Sequence, residues 1–325
     1  PTSLENWAKC PFRYLLAQIL HVNAVERPEA RDRISGRDRG TLIHAVLEQF
    51  LAAHPRSGPE HGWSPEERAA LRAAADQWCD EFESLGLTGR KVLWALDRAR
   101  ILRELDRVLD TDAALRAERG LVPHGVEVGF GTADDELPAV RFDLSTGATV
   151  AFRGRIDRVD RDRDGNLEIF DYKTGIPDLD EGVLCDDPVV GGTRLQLAIY
   201  SLAVRAGEPS RAVRGSYWFT RNTSEDALCG FALDSGAEDR VRTVLDLVSE
   251  EITAGHFPAY PGPDDYWRGP LSCQHCDYDR LCPGDRVRRF EHRRGDPAIE
   301  GILSLREPED ELDDDLDPVH AEVDA

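Results

Sequence analysis

The chain has 325 residues, 41% hydrophobic and 31% charged, a balance expected of an ordinary cytosolic globular protein with room for one large domain or two modest ones. No apolar run approaches the roughly 20 residues of a membrane span, and no charged-then-apolar leader opens the chain, so no membrane partner is expected. The net charge of -22 argues against broad coating of nucleic acid. Much of it lies between Ser304 and Ala325, where ten acidic residues meet one arginine, which leaves room for a local arginine-lined groove that grips a strand.

The chain begins at Pro1 and contains no methionine, as expected of a piece of a longer polypeptide. Ser3 reads as the cap of a first helix that Pro11 interrupts, and a second helix is expected from near Gly40 through T-L-I-H-A-V-L-E-Q-F-L. Ser64-Pro65-Glu66-Glu67 is a strong helix start, and Ala/Arg/Leu-rich periodicity continues to Arg119. Residues from about 60 to 119 are therefore expected as a helical insertion or lid beside an α/β core. Alternating strands follow at 126–130, 139–144, 149–160 and 167–173, with Asp-Gly-Asn in the 160–166 connection marking a tight hairpin. A helix over 194–206, a strand over 213–220 and an amphipathic helix over 237–254 complete the core. Beyond lie a cysteine-rich segment at 256–290 and, from 301 to 325, an acidic tail expected to be disordered.

Only three of the 40 basic residues are lysines, so Lys173, in E-I-F-D-Y-K-T, draws notice. It shares one strand face with Asp171. Asp157, in G-R-I-D, sits on the preceding strand, and neighbouring strands can bring two carboxylates to one divalent cation such as Mg²⁺ or Mn²⁺. A cation beside a lysine suits phosphodiester hydrolysis. The plainer alternative is that the two aspartates pair with nearby arginines.

G-T-L-I-H (Gly40 to His44), G-R-I-D (Gly154 to Asp157), D-Y-K (Asp171 to Lys173) and Q-L-A-I-Y (Gln196 to Tyr200) stand in that order. The series resembles the PD-(D/E)XK nuclease superfamily, and within it the RecB-like branch, over residues 1 to about 290. The resemblance implies a restriction-endonuclease-like α/β core spanning residues 1–300, a mixed sheet flanked by helices. It implies that His44, Asp157, Asp171 and the Tyr172 carbonyl hold Mg²⁺ or Mn²⁺, with Glu127 as a further ligand. It implies Lys173 as catalytic lysine, with Gln196 and Tyr200 lining the site. The expected activity is a metal-dependent deoxyribonuclease, exonuclease rather than endonuclease, acting on DNA ends or single strands. The expected setting is double-strand break repair, with a helicase motor in the same chain or a partner subunit; a free-standing exonuclease and an inactive DNA-binding scaffold are the alternatives.

Cys273, Cys276 and Cys282 are spaced C-x2-C-x5-C, and Cys10 is a fourth candidate. Clustered thiols in a cytosolic chain favour a metal over disulfides, and the spacing fits zinc or an iron–sulfur cluster, with His275 a possible zinc ligand. A lone N-terminal cysteine joined to that C-terminal run resembles iron–sulfur nucleases of the AddB and CRISPR-adaptation type. The resemblance implies a 4Fe-4S cluster held by Cys10, Cys273, Cys276 and Cys282 that staples the two ends of the domain. Cys79, Cys185 and Cys229 read as ordinary thiols.

Overall fold

The structure, a computed structural model, describes residues 1–23, 32–54, 62–175, 181–222, 227–265, 267, 269–274 and 276–307. Helix α1 (Thr2–Lys9) leads into α2 (Pro11–Tyr14) and a π-helical turn at Leu15–Ile19. Pro11 opens α2, where its missing N–H would have had no helical partner. Helix α3 (Gly36–Ala53) starts a turn before Gly40, because Ser35 Oγ accepts the Asp38 amide at 3.0 Å. Helix α4 (Pro65–Ser84) opens on the expected cap, with Ser64 and Glu67 each bonding the other's amide. Helix α5 (Lys91–Arg119) stops at Gly120, which takes the left-handed conformation.

Strands β1 (Val122–Phe130), β2 (Val140–Asp143), β3 (Thr149–Phe152), β4 (Gly154–Arg161) and β5 (Leu167–Lys173) follow. Helices α6 (Glu181–Asp186) and α7 (Gln196–Gly207) then cross to β6 (Val213–Phe219) and β7 (Leu228–Ala232). Helix α8 (Ser235–Ala254), a two-residue ribbon of β8 (Asp264–Asp265) and β9 (Gly269–Pro270), α9 (Arg286–His292) and α10 (Pro297–Arg306) close the described chain. The main sheet has the order β1-β4-β5-β6-β7, parallel only between β5 and β6. The expected single strand over 149–160 divides at Arg153: β3 pairs with β2 in a separate hairpin, while β4 enters the main sheet. None of the described helices is long and apolar enough to cross a membrane.

Alternation along β5 builds two cores. Ile169 joins Trp7, Leu197, Val241, Val244 and Ile302 on one face, whereas Phe170 and Tyr172 join Trp218, Ile43, Leu47, Ile101 and Leu105 on the other. The second face is thus covered by α3, α4 and α5, so the helices expected as a lid beside the core supply one of its layers. A buried ionic chain ties them down. Arg158 of β4 donates to both oxygens of Asp160 (2.6 and 2.5 Å) and to Asp112 of α5 (2.6 Å), which also accepts from Arg116 and Trp63 at 2.7 Å each. Residues 301–306 depart from the expected tail: they continue α10 and bury Ile302 and Leu305, because Asp296 caps this helix and Pro297 opens it. The expected disorder from 308 onward, and His275, lie outside the described residues.

Candidate active site

The site opens where β4 and β5 part. Their ladder runs only from Arg161↔Leu167 to Arg158↔Phe170. One residue further, the Tyr172 amide donates to the Asp157 side chain (Oδ2, 2.8 Å). A carboxylate thus takes the place of a strand carbonyl and is fixed by it. On the other side of β4, Val126 pairs with Arg158 and Val128 with Ile156, which sets Glu127 opposite Asp157. Glu127 has φ +52, a conformation that costs a non-glycine residue on the order of 1–3 kcal/mol and that gathers at functional sites.

Helix α3 brings His44 across this opening. Its Nε2 lies 3.0 Å from the Tyr172 carbonyl and its Nδ1 3.5 Å from Asp157 Oδ2. Among the described residues, His44, Glu127 and Asp157 are the group of three whose ligand atoms all lie within 4.8 Å of one another. Asp171 stands outside this trio, 2% exposed, with Oδ2 2.5 Å from Lys173 Nζ. Lys173 also donates to Gln196 Oε1 (2.9 Å), and Gln196 Nε2 donates to the Tyr200 hydroxyl (2.8 Å). His44, Glu127 and Asp157 thus stand together, and Asp171, Lys173, Gln196 and Tyr200 are linked in a second chain of contacts, while the Tyr172 ring packs in the second core and its carbonyl meets His44. Two glycines permit the approach: a Cβ on Gly154 would sit 2.9 Å from Phe130 and 3.5 Å from Tyr200, and one on Gly40 would sit 3.2 Å from Thr174 Oγ1.

The electrostatics match a cation-binding donor set. Burial, reinforced by the charges of Asp157 and Glu48, pushes Glu127 up to about 7, against the pull of His44 and Arg155. Burial also pushes Asp171 up to about 6; Lys173 opposes this and Asp157 adds to it. Burial works against a charged His44, yet its contact with Asp157, the charge of Asp171 and the Tyr172 carbonyl outweigh it and raise the imidazole. Opposed carboxylates repel on neighbouring strands, and a divalent cation would relieve that repulsion. Oxygen donors with one imidazole suit Mg²⁺ or Mn²⁺ rather than a thiophilic metal.

Two supporting residues escaped the sequence reading. Glu5, 6% exposed on α1, accepts the Gln196 backbone amide at 3.0 Å and so holds the start of α7. Nothing local marks it. Tyr217 lies beside Asp171 in the parallel register, with its ring 5.0 Å from Lys173 Nζ. Its alternation on β6 was a usable signal, but the register was not.

The four selected thiols form a separate group. Cys10, raised by burial, feels the charges of Cys282 and Cys276, while Cys273, pushed up to about 11 by burial, feels Cys10, Cys276 and Cys282. Cys282 is raised by burial and feels Cys276. One N-terminal and three C-terminal thiols thus converge.

Carboxylates from β1, β4 and β5, the imidazole of α3 and the lysine at the end of β5 gather where the antiparallel strands β4 and β5 part, an arrangement that suits a hydrolytic protein. The chain belongs to the PD-(D/E)XK nuclease superfamily, whose sequence model matches residues 1–283. It is 32% identical over 223 residues to an ATP-dependent helicase/deoxyribonuclease subunit of Symbiobacterium thermophilum, covering 63% of this chain and 17% of that protein. The protein of the same name from Caldanaerobacter subterraneus is 31% identical over 260 residues, covering 77% and 20%. The chain spans about a fifth of the length of these relatives. A solved structure titled "Crystal structure of SSO0001" covers 83% of the chain at 16% identity with a TM-score of 0.28, too slight a likeness to support an argument.

Proposed function

We propose that the chain is the nuclease portion of a helicase-nuclease, hydrolysing phosphodiester bonds at DNA ends or in single strands, as an exonuclease, in double-strand break repair. The observation that carries this reading is the convergence of His44, Glu127 and Asp157 beside the Asp171–Lys173 pair where β4 and β5 part. The names of the relatives and the fifth of their length that this chain spans support the helicase-nuclease setting over a free-standing exonuclease.

His44, Glu127, Asp157, Asp171 and the Tyr172 carbonyl would hold Mg²⁺ or Mn²⁺, which when bound polarises a phosphoryl oxygen and acidifies water. Lys173 places an ammonium where negative charge grows on the phosphate, and Asp171 and Gln196 fix its direction. Tyr200 holds Gln196, and Glu5 holds the helix that carries both. Arginine's broad fork would not fit this clasp.

Mg²⁺-dependent degradation of linear single- and double-stranded DNA is the test. Asp171→Ala and Lys173→Ala are expected to lose at least about 100-fold in rate, as when a charge-stabilising donor is removed, and Lys173→Arg to recover little. Equal rates in wild type and variants would end the assignment.

The thiol group supports a 4Fe-4S cluster held by Cys10, Cys273, Cys276 and Cys282, with zinc as the alternative. Its role is structural, joining positions more than 260 residues apart in sequence. Anaerobically purified protein is expected to be brown, and Cys276→Ala to lose iron and thermal stability. A colourless protein with stoichiometric zinc would select the alternative.

A further inference from the structure

A cavity of about 380 Å³ opens beside the site between α3 and α5, lined by Arg33, Arg39, Arg100, Arg103, Arg107 and Arg221. Resting on the nuclease reading above, we infer that this cavity is the track for a single DNA strand, its arginines holding phosphates about one to two nucleotides from the bond to be cut.

Six cations in one hollow are unusual in a chain whose acidic residues outnumber its basic ones by 62 to 40. Two carboxylates share the hollow, and both are engaged. Asp97 takes Arg33 (3.2 Å) and Arg100 (3.3 Å), while Glu104 takes Arg39 and the Thr220 hydroxyl (2.6 Å). Arg103, Arg107 and Arg221 form no ion pair among the described residues, and Arg107 Nε is buried without a hydrogen-bond partner. Arg100, Arg103 and Arg107 recur at helical spacing on α5, so their like charges repel along one face. An anion would relieve that repulsion, and planar guanidinium forks match phosphate oxygens.

Place and shape name the ligand. Arg39 donates to the Thr174 carbonyl (2.9 Å), next to Lys173, and Arg221 follows Thr220, whose amide donates to the Lys173 carbonyl (3.0 Å). Arg39 and His44 are five residues apart on α3, about 7.5 Å along its axis. That is on the scale of one to two nucleotides of a strand whose phosphates rise about 3.4 Å each along its axis. At about 380 Å³ the hollow is far too small for a stretch of paired duplex.

Binding can be read without cleavage. Anisotropy of a fluorescent oligothymidine in EDTA, from about 50 to 200 mM salt, compares wild type with Arg103→Ala/Arg107→Ala, neither residue being in an ion pair among the described residues. Arg288→Ala/Arg289→Ala on α9, whose arginines pair with Asp285, is the charge-matched control. The cavity variant is expected to bind at least about tenfold more weakly at low salt. Its salt slope should be shallower by about 1.4, as for two lost phosphate contacts on a single strand. The control should match wild type.

Wild-type slope and affinity in the cavity variant, or an equal loss in the control, would overturn the track. So would a larger loss on blunt duplex than on single strand. A cavity variant with an altered melting temperature is replaced by Arg221→Ala, which lies outside α5. Failure of the track leaves Mg²⁺-dependent cleavage by wild type intact, whereas failure of the nuclease reading removes cleavage and leaves the binding difference in place.

Discussion

Three carboxyl and imidazole groups at the opening hold their protons to higher pH than their counterparts in an unfolded chain. Asp171 sits at about 6 and Glu127 at about 7, against ordinary values of 3.8 and 4.5, and His44 is raised above 6.5. A group whose folded value is raised binds more protons folded than unfolded, so the stability it contributes is present at low pH and fades as pH rises through the folded value. All three therefore act in one direction over the window from about 4 to somewhat above 7. Without divalent cations the melting temperature is expected to fall between about pH 5 and pH 8, and Mg²⁺ to flatten that fall. Glu127→Gln should be less steep than wild type in EDTA. An equal slope would mean that the acidic surface, and not the site, sets the trend.

At the scale of elements, the site depends on how closely β4 can lie under β1 and α7. A methyl group on Gly154 would lie only 2.9 Å from Phe130, whose ring packs edge-on against Tyr200. Gly154→Ala is expected to lower DNA cleavage by more than tenfold while costing only about 1–3 kcal/mol in denaturant unfolding, typical of overpacking. Unchanged cleavage would show that Tyr200 need not keep its place.

Which elements were legible follows from where their signals lie. The capping box of α4, the alternation of β5 and the apolar stripe of α8 are written in adjacent residues, and these elements came out within a few positions. Strand β7 has five residues, two of them small, and it is held by pairing with β6 more than by any pattern of its own. Helix α10 was hidden by the acidic run that follows it. The candidate site was proposed on another ground, the ordered resemblance of G-T-L-I-H, G-R-I-D, D-Y-K and Q-L-A-I-Y to the superfamily's motifs, which adjacent residues carry in full. Glu5 was not legible, because its contact is 191 residues away.

Across the whole molecule, the chain from Trp63 and Arg116 through Asp112 to Arg158 and Asp160 binds the helical layer to the sheet, and Arg158 is 1% exposed. Buried ion pairs contribute little net stability when complete, but removing one partner strands the other. Arg158→Met would leave Asp112 and Asp160 facing an apolar side chain, and is expected to cost about 3–5 kcal/mol. Urea titration measures it, and Arg158→Met/Asp160→Leu should recover part of the loss. A double variant no more stable than the single one would indicate that packing, not stranded charge, sets the cost.

The Asp157 carboxylate completes the end of β5 through the Tyr172 amide, a bond that needs no cation to form. The orientation of that candidate ligand is thus set when the sheet forms. A cation entering the opening meets a donor already aimed, so little conformational freedom remains to be lost on binding. The readiness of the site is thus a property of its strand pairing.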